Sequence, residues 1–387
     1  MPQIQNFHSS RLPTKYERLF WSISFLTSAT LAAYLLSAQF SRFIEAPTVM
    51  SVEMDYFNWN VSYPAFTLCP YLKTTDASFG RLLNKTLLRT GRDLEAYLFA
   101  IVSAGMDSLD ALDLQLEKPE ILSLIDPNEY ANIASSAFRN FDDELLTTNM
   151  DMPVTITNVM TELGMCHVIN SNVGVFDNPF KWYSDIKYRK TNIEISVYEK
   201  DFFTQIINYA EVYKVLIHSP DEIALSTTPS YSHYLKGFLT FGIQVSSIRI
   251  SDNLRTSGIG LRKCRFTNEP ISKRYPVYSY NHCLLECRIQ MILKLCGCIP
   301  HFYKAIDDEK ICNLGELSCV VKYKKEILTL SASEETRQKF NYNERLPKNS
   351  SDCGCLSNCE IDIYQKEDES LRMGSGNERN LTFNDWL

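Results

Sequence analysis

The residues of this sequence best equipped for chemistry are its 12 cysteines, ten of which fall after position 260. They stand at 69, 166, 264, 283, 287, 296, 298, 312, 319, 353, 355 and 359. Thiols in such number either oxidise in pairs or ligate metal. Zinc sites favour C-x-x-C-type spacing, and no C-x-x-C occurs here. His282 and His301 lie near cysteines, but neither has the nearby second histidine of a finger. An even count points instead to disulfides, provided the cysteines face an oxidising compartment. Other chemistry is thin. His218-Ser219 stands at a strand end before Pro220, where a turn is the plainer reading, and Ser219 lacks a G-x-S-x-G elbow. Glu286, between two cysteines, reads as a solvated helix face. No nucleophile–base or metal-ligand constellation is visible, so neither an enzyme nor a cofactor is expected.

Which elements hold the cysteines follows from their spacing. Tyr278–Cys298 has helical periodicity, with Cys283, Cys287, Met291 and Leu295 recurring every four residues. Cys283 and Cys287 then share a face, about 6 Å apart along the axis. Cys353 and Cys355 flank one glycine; if extended, they share a face with about 6.6 Å between them. Two pairs of matched rise can form two rungs between a helix and a strand. The antiparallel choice gives Cys287–Cys353 and Cys283–Cys355, with Cys264–Cys359 nested outside. Nesting the next four gives Cys298–Cys312 and Cys296–Cys319, and Cys69–Cys166 pair by default.

The oxidising compartment is supplied by one apolar stretch. Leu19–Phe40 contains no charge, and Arg18 and Arg42 close it. As a helix these 22 residues cover about 33 Å, enough for a hydrocarbon core of about 30 Å. Trp21 near one end and Tyr34 or Phe40 near the other suit the interfaces. The run is longer than a signal peptide's apolar region, and Ser37-Ala38-Gln39 is a poor cleavage site. Arg11, Lys15 and Arg18 precede it, whereas Arg42 and Glu45 nearly cancel. The charge bias puts residues 1–18 in the cytoplasm as a short tail, 19–41 in the lipid bilayer and 42–387 outside. Four sequons, at Asn60, Asn84, Asn349 and Asn380, are possible glycosylation sites on that side. A net charge of −7 gives a nucleic-acid partner no electrostatic support.

Along the ectodomain, YPAFTLCPYL near residue 65 reads as extended, and residues 78–150 show helical periodicity with interruptions. The runs TNIEISVYE, EVYKVLIHS and FLTFGIQVSSIRIS between residues 190 and 252 read as strands. Residues 264–359 form a cross-linked helical unit with an amphipathic stretch near Val320–Lys339, and Cys359–Tyr364 alternates as a returning strand. The expected fold is α+β: one transmembrane helix, then an extracellular domain with a central β-sheet and peripheral helices. Segments around 105–150 and 170–190 are expected as loops carrying recognition.

The pattern C-x3-C-x8-C-x-C, two further cysteines, then C-x-C-x3-C resembles the thumb of the degenerin/epithelial (amiloride-sensitive) sodium channel family, whose ladder has the same nesting. The run Tyr278–Cys287 is similar to the insect pickpocket branch. In the expected order come Ala46-Pro47-Thr48, Tyr63–Pro70 (the family's F-P-A-V-T-[IL]-C-N), Gly164–Ser171 (its G-x-C-[YH]-x-F-N) and Tyr213–Pro220. The resemblance runs from about Arg18 to Tyr364 and makes 264–359 a thumb-like unit. It implies a plasma-membrane sodium channel subunit gated by ligand, proton or force, in a homo- or heterotrimer with related subunits, mediating transport of sodium ions. Two departures stand out. His8 is followed by Ser9, so the family's cytoplasmic His-Gly motif is missing. The second transmembrane helix with its G-x-S selectivity filter is expected to be absent from this chain. Gly374-Ser375-Gly376 precedes Asn377-Glu378-Arg379-Asn380, too charged for lipid, and reads as a flexible linker. The chain runs only 28 residues past Cys359. The alternative reading is therefore a non-conducting truncated subunit, dominant-negative or modulatory, or a single-pass extracellular binding protein.

Overall fold

The computed structural model describes residues 14–45, 47–48, 50–53, 60–86, 92–112, 125–141, 146–148, 154–191, 193–196, 203–207, 209–234, 237–340 and 346–373. The chain divides into two compact units, Met1–Glu53 with Asn253–Lys263, and Met54–Asp252 with Cys264–Leu387.

The first unit contains α1 (Lys15–Glu45), 31 residues with a mean hydropathy of 1.6 over its most apolar window. It is the one helix among the described residues long and apolar enough to cross a membrane. A capping box starts it: Thr14 N–H donates to Glu17 Oε2 at 2.8 Å, and Glu17 N–H returns to Thr14 Oγ1 at 3.4 Å. Ser22, Thr27, Thr30 and Ser37 donate their hydroxyls to carbonyls three or four residues back. These four hydroxyls are thus satisfied within the helix's own backbone.

The second unit is built on a five-stranded antiparallel sheet. Its order is β4 (Ile156–Thr161), β5 (Gly164–Ile169), β2 (Ala65–Pro70), β8 (Val212–His218) and β9 (Ser230–Tyr234). The inner strands β2 and β5 are buried along their whole length, and their two polar side chains, Thr67 and His167, find internal partners in His218 and Tyr209. The turn into β5 requires glycine. Gly164 has φ +79°, and a Cβ there would lie 2.6 Å from the Ala104 carbonyl oxygen.

Two short pairs form separate two-stranded sheets: β1 (Asn60–Ser62) with β6 (Glu194–Ser196), and β3 (Leu146–Thr148) with β7 (Thr204–Ile206). Helices α2 (Asp76–Thr86), α3 (Arg92–Ser103) and α4 (Tyr130–Ala137) lie at the periphery. Tyr97, Ile101, Tyr130 and Ala134 from α3 and α4 share one core with Leu285, Ile289, Ile292 and Val320 of the cross-linked unit. The α+β architecture expected from the sequence is present.

Several expectations need correction. The amphipathic stretch 320–339 is two helices, α6 (Leu317–Thr329) and α7 (Glu334–Lys339). Leu330 takes φ 50° and ends the first, and the Ser333 hydroxyl caps the second by accepting Thr336 N–H at 3.2 Å. Cys353 and Cys355 are not extended. Ser350–Cys353 is a 3-10 turn capped by Asn349, and Gly354 at φ 65° reverses the chain between the two cysteines. The supposed loop at 105–150 contains α4 and β3.

The returning strand is far longer than Cys359–Tyr364. β13 (Ile361–Met373) pairs antiparallel with β10 (Gly237–Ile248) across both lengths, with an irregularity at Gly242/Ile243. The charged run Gln365–Ser370 has little strand propensity of its own; pairing with β10 overrides it. At the irregularity Gly242 N–H donates to Asp368 Oδ1 at 2.7 Å, in space that a Cβ would fill.

Candidate functional site: the disulfide clamp and its joints to the sheet

The clamp is organised by α5 (Tyr280–Cys296). Its N-cap is Ser279, whose hydroxyl accepts His282 N–H at 3.1 Å, and its stop is Gly297 at φ 72°. Cys283 and Cys287 lie on one face of α5 and bond to Cys355 and Cys353, with Cα separations of 5.7 and 5.9 Å. Cys264–Cys359 lies at the end of a parallel pair between β11 (Cys264–Arg265) and β12 (Ser357–Asn358), where Cys359 N–H donates to Arg265 O at 2.9 Å. At the far end, Cys296–Cys319 ties α5 to α6, and Cys298–Cys312 closes the intervening loop. Cys69–Cys166 joins β2 to β5, with Cα atoms 4.5 Å apart.

Beyond the shared apolar core, three buried polar joints organise this unit: two tie it to the sheet and one braces it internally. In the first, Arg288 of α5 donates Nη1 to Glu162 Oε2 at 2.5 Å, both side chains nearly inaccessible. Glu162 sits in the β4–β5 turn and also accepts from Ser226 N–H, Ser226 Oγ–H and Tyr303 O–H at 2.9, 2.7 and 2.9 Å. Arg288 Nη2 donates to Thr227 Oγ1 and to Leu328 O, the last turn of α6. A buried ion pair is tolerable when most of its remaining donors and acceptors are met in this way; here Arg288 Nε alone of the guanidinium nitrogens is buried without a partner. Burial, with the Glu162 charge beside it, pushes the Tyr303 hydroxyl well above its ordinary range.

The second joint is Arg274, fully buried in the chain leading into α5. It donates Nε to Glu286 Oε2 at 2.8 Å, forks onto both oxygens of Glu309 at 2.9 and 2.8 Å, and reaches Lys304 O. Glu286 is thus no solvated residue but the ion-pair partner of an arginine invisible to helix periodicity, a correction to the sequence reading. The third joint is Glu222, buried just after β8. Its carboxylate accepts Asn281 N–H in the first turn of α5 and Asn358 Nδ2–H of β12, both at 3.1 Å. Asn358 Oδ1 accepts Tyr280 N–H at 3.0 Å. One carboxylate at the positive end of α5 therefore fastens sheet, helix and returning strand together. Burial raises its pKa, with hydrogen bonds from Ser279 and others opposing.

Between the first two joints lies a cavity of about 20 Å³, the volume of about one water, bordered by Glu162, Asp177, Trp182, Tyr275, Tyr303 and Lys304. The histidines considered at first sight are structural. His218 Nδ1–H donates to Ser219 O at 2.9 Å, leaving Nε2 to accept Thr67 Oγ1–H at 2.7 Å, and burial lowers its pKa to about 4. His301 Nε2–H donates to Ile101 O at 3.1 Å. His282 lies against the Tyr275 ring, its Nδ1 2.9 Å from Ser279 Oγ. Among the described residues no group of three His, Cys, Asp or Glu is placed to hold a metal ion.

Asn60 and Asn349 are exposed. Asn84 lies in α2 with its side chain outside the described residues, as is all of Asn380, His8 and Gly374–Gly376. Sequence reasoning missed Glu162, Glu222, Arg274 and Arg288. Arg288 left one usable signal: it sits in the buried stripe Leu285, Ile289, Ile292, where a charge demands a partner.

Comparison with known proteins agrees with this architecture. Residues 4–385 match the family model described as amiloride-sensitive sodium channel. Pickpocket protein 11 of Drosophila melanogaster is 29% identical over 155 residues, 40% of this chain and 26% of that protein. Sodium channel protein Nach of the same species is 26% identical over 145 residues, 36% and 26% of the two chains. Acid-sensing ion channel 1C of Danio rerio is 22% identical over 307 residues, 73% and 54%. The matched stretch thus spans about a quarter of the two Drosophila proteins.

Proposed function

This chain belongs to the amiloride-sensitive sodium channel family, and from that premise we propose that it is a subunit of a plasma-membrane sodium channel. In this reading α1 crosses the bilayer with its N-terminus in the cytoplasm, and the disulfide-rich unit lies outside. Related subunits complete a trimer, and the passage of sodium ions is the activity of the whole assembly. What supports the reading is the family match, which spans residues 4–385. Oxidised cysteines throughout the second unit fit an extracellular place.

The clamp is the moving part. Cross-linking, braced internally by Arg274, lets it transmit displacement without deforming, and its joints at Glu162 and Glu222 are where displacement would pass between α5 and the sheet. A ligand, a proton or force acting on the clamp supplies the stimulus. The test is to express the tagged chain with a full-length relative and measure surface co-purification and amiloride-sensitive sodium current. Co-purification with an altered current is expected. A chain that reaches the surface, associates with no relative and leaves the current unchanged would overturn the reading.

A further inference from the structure

Glycan attachment to asparagine consumes one amide N–H and leaves the carbonyl oxygen intact, so the two atoms of an asparagine amide have separate fates. At Asn349 the fold uses only the oxygen. Oδ1 accepts Asp352 N–H at 3.2 Å and caps the 3-10 turn Ser350–Cys353, while Nδ2 makes no hydrogen bond among the described residues. Asn349, Ser350 and Ser351 are all exposed, and the triplet is Asn-Ser-Ser, with the hydroxyl that a sequon needs at its third position. Asn60 is the opposite case. Its nitrogen is engaged, with Nδ2 donating to Glu194 Oε2 at 3.2 Å.

We propose that Asn349 is a site of N-linked glycosylation, carried on the capping residue of the turn that closes the Cys287–Cys353 rung. The inference rests on the reading that residues following α1 are extracellular. A sugar there leaves the cap and both rungs undisturbed. It also covers one face of the clamp with a bulky hydrophilic group that keeps protein partners away.

The experiment takes the full chain from insect cells, treats it with a peptide N-glycosidase in heavy-oxygen water, and reads asparagine-to-aspartate conversion by mass spectrometry. Conversion at Asn349 is expected. It should be lost in S351A, kept in S351T, and lost in N349D, which preserves a capping oxygen and should leave the melting temperature unchanged. If Asn349 is unconverted while Asn60, Asn84 or Asn380 is converted, this inference fails and the extracellular reading stands. If no sequon is converted in chain recovered from the cell surface, both fail.

Discussion

Arg288 Nη1 lies 2.5 Å from Glu162 Oε2, and both side chains are almost wholly withdrawn from solvent. The contact joins a helix of the clamp to a turn of the central sheet. Removing one partner strands the other charge in a medium that cannot solvate it. R288M or E162L is therefore expected to destabilise the full chain by about 3–5 kcal/mol, whereas the double variant R288M/E162L should lose less than the sum of the two. Thermal unfolding of the four proteins in detergent measures the coupling; additive losses would contradict it.

A second expectation concerns one rung of the clamp. The Cys287–Cys353 bond closes a loop with a sequence separation of 66. Replacing both cysteines by serine should cost about 2–4 kcal/mol, mainly through the unfolded chain's recovered freedom. Calorimetry of the variant beside the parent checks this, and equal melting temperatures would refute it.

Acid should destabilise the folded unit through buried neutral histidines. Burial lowers the pKa of His167 to about 3 and those of His218 and His301 to about 4, from an ordinary 6.5. Between those limits the unfolded chain binds protons that the folded one refuses, so stability falls as pH drops below 6.5. Glu222, whose pKa burial raises, acts in the opposite sense and offsets part of this loss. The pH dependence of the unfolding free energy should show a net uptake of protons on unfolding in that window, smaller than the roughly three that the histidines alone would give. A pH-independent melting temperature between pH 6.5 and 4 would contradict it.

Gly164 offers a local test. With φ +79° and the Ala104 carbonyl 2.6 Å from where a Cβ would stand, G164A should cost at least about 1–3 kcal/mol. G80A, where nothing lies within 4 Å of an added Cβ, is the control and should be tolerated. Equal melting temperatures for the two variants would show the turn to be less constrained than drawn.

These tests fall on features that differ in how far the sequence exposes them. The helix carrying Cys283 and Cys287 is legible because its cap, Ser279, and its stop, Gly297, bracket a periodic run. So is α1, since a long uncharged stretch between arginines has few other uses. β13 beyond Tyr364 is not legible, because Lys366, Glu367, Asp368 and Glu369 there form a strand only through their partners in β10. Likewise the turn at Gly354 hides in a C-G-C triplet that reads equally well as extended. The joints are the least legible part. Glu162 and Arg288 are 126 residues apart, and Arg274 meets Glu309 across 35, so nothing local announces either pairing.

A non-reducing peptide map of the mature full chain bears most directly on the proposal that an oxidised clamp carries motion to the sheet. Proteolysis without reductant should yield peptides linking Cys283 to Cys355 and Cys287 to Cys353, with no thiol at any of the four available to alkylation. Free thiols at those positions, or the same cysteines bonded to other partners, would contradict it.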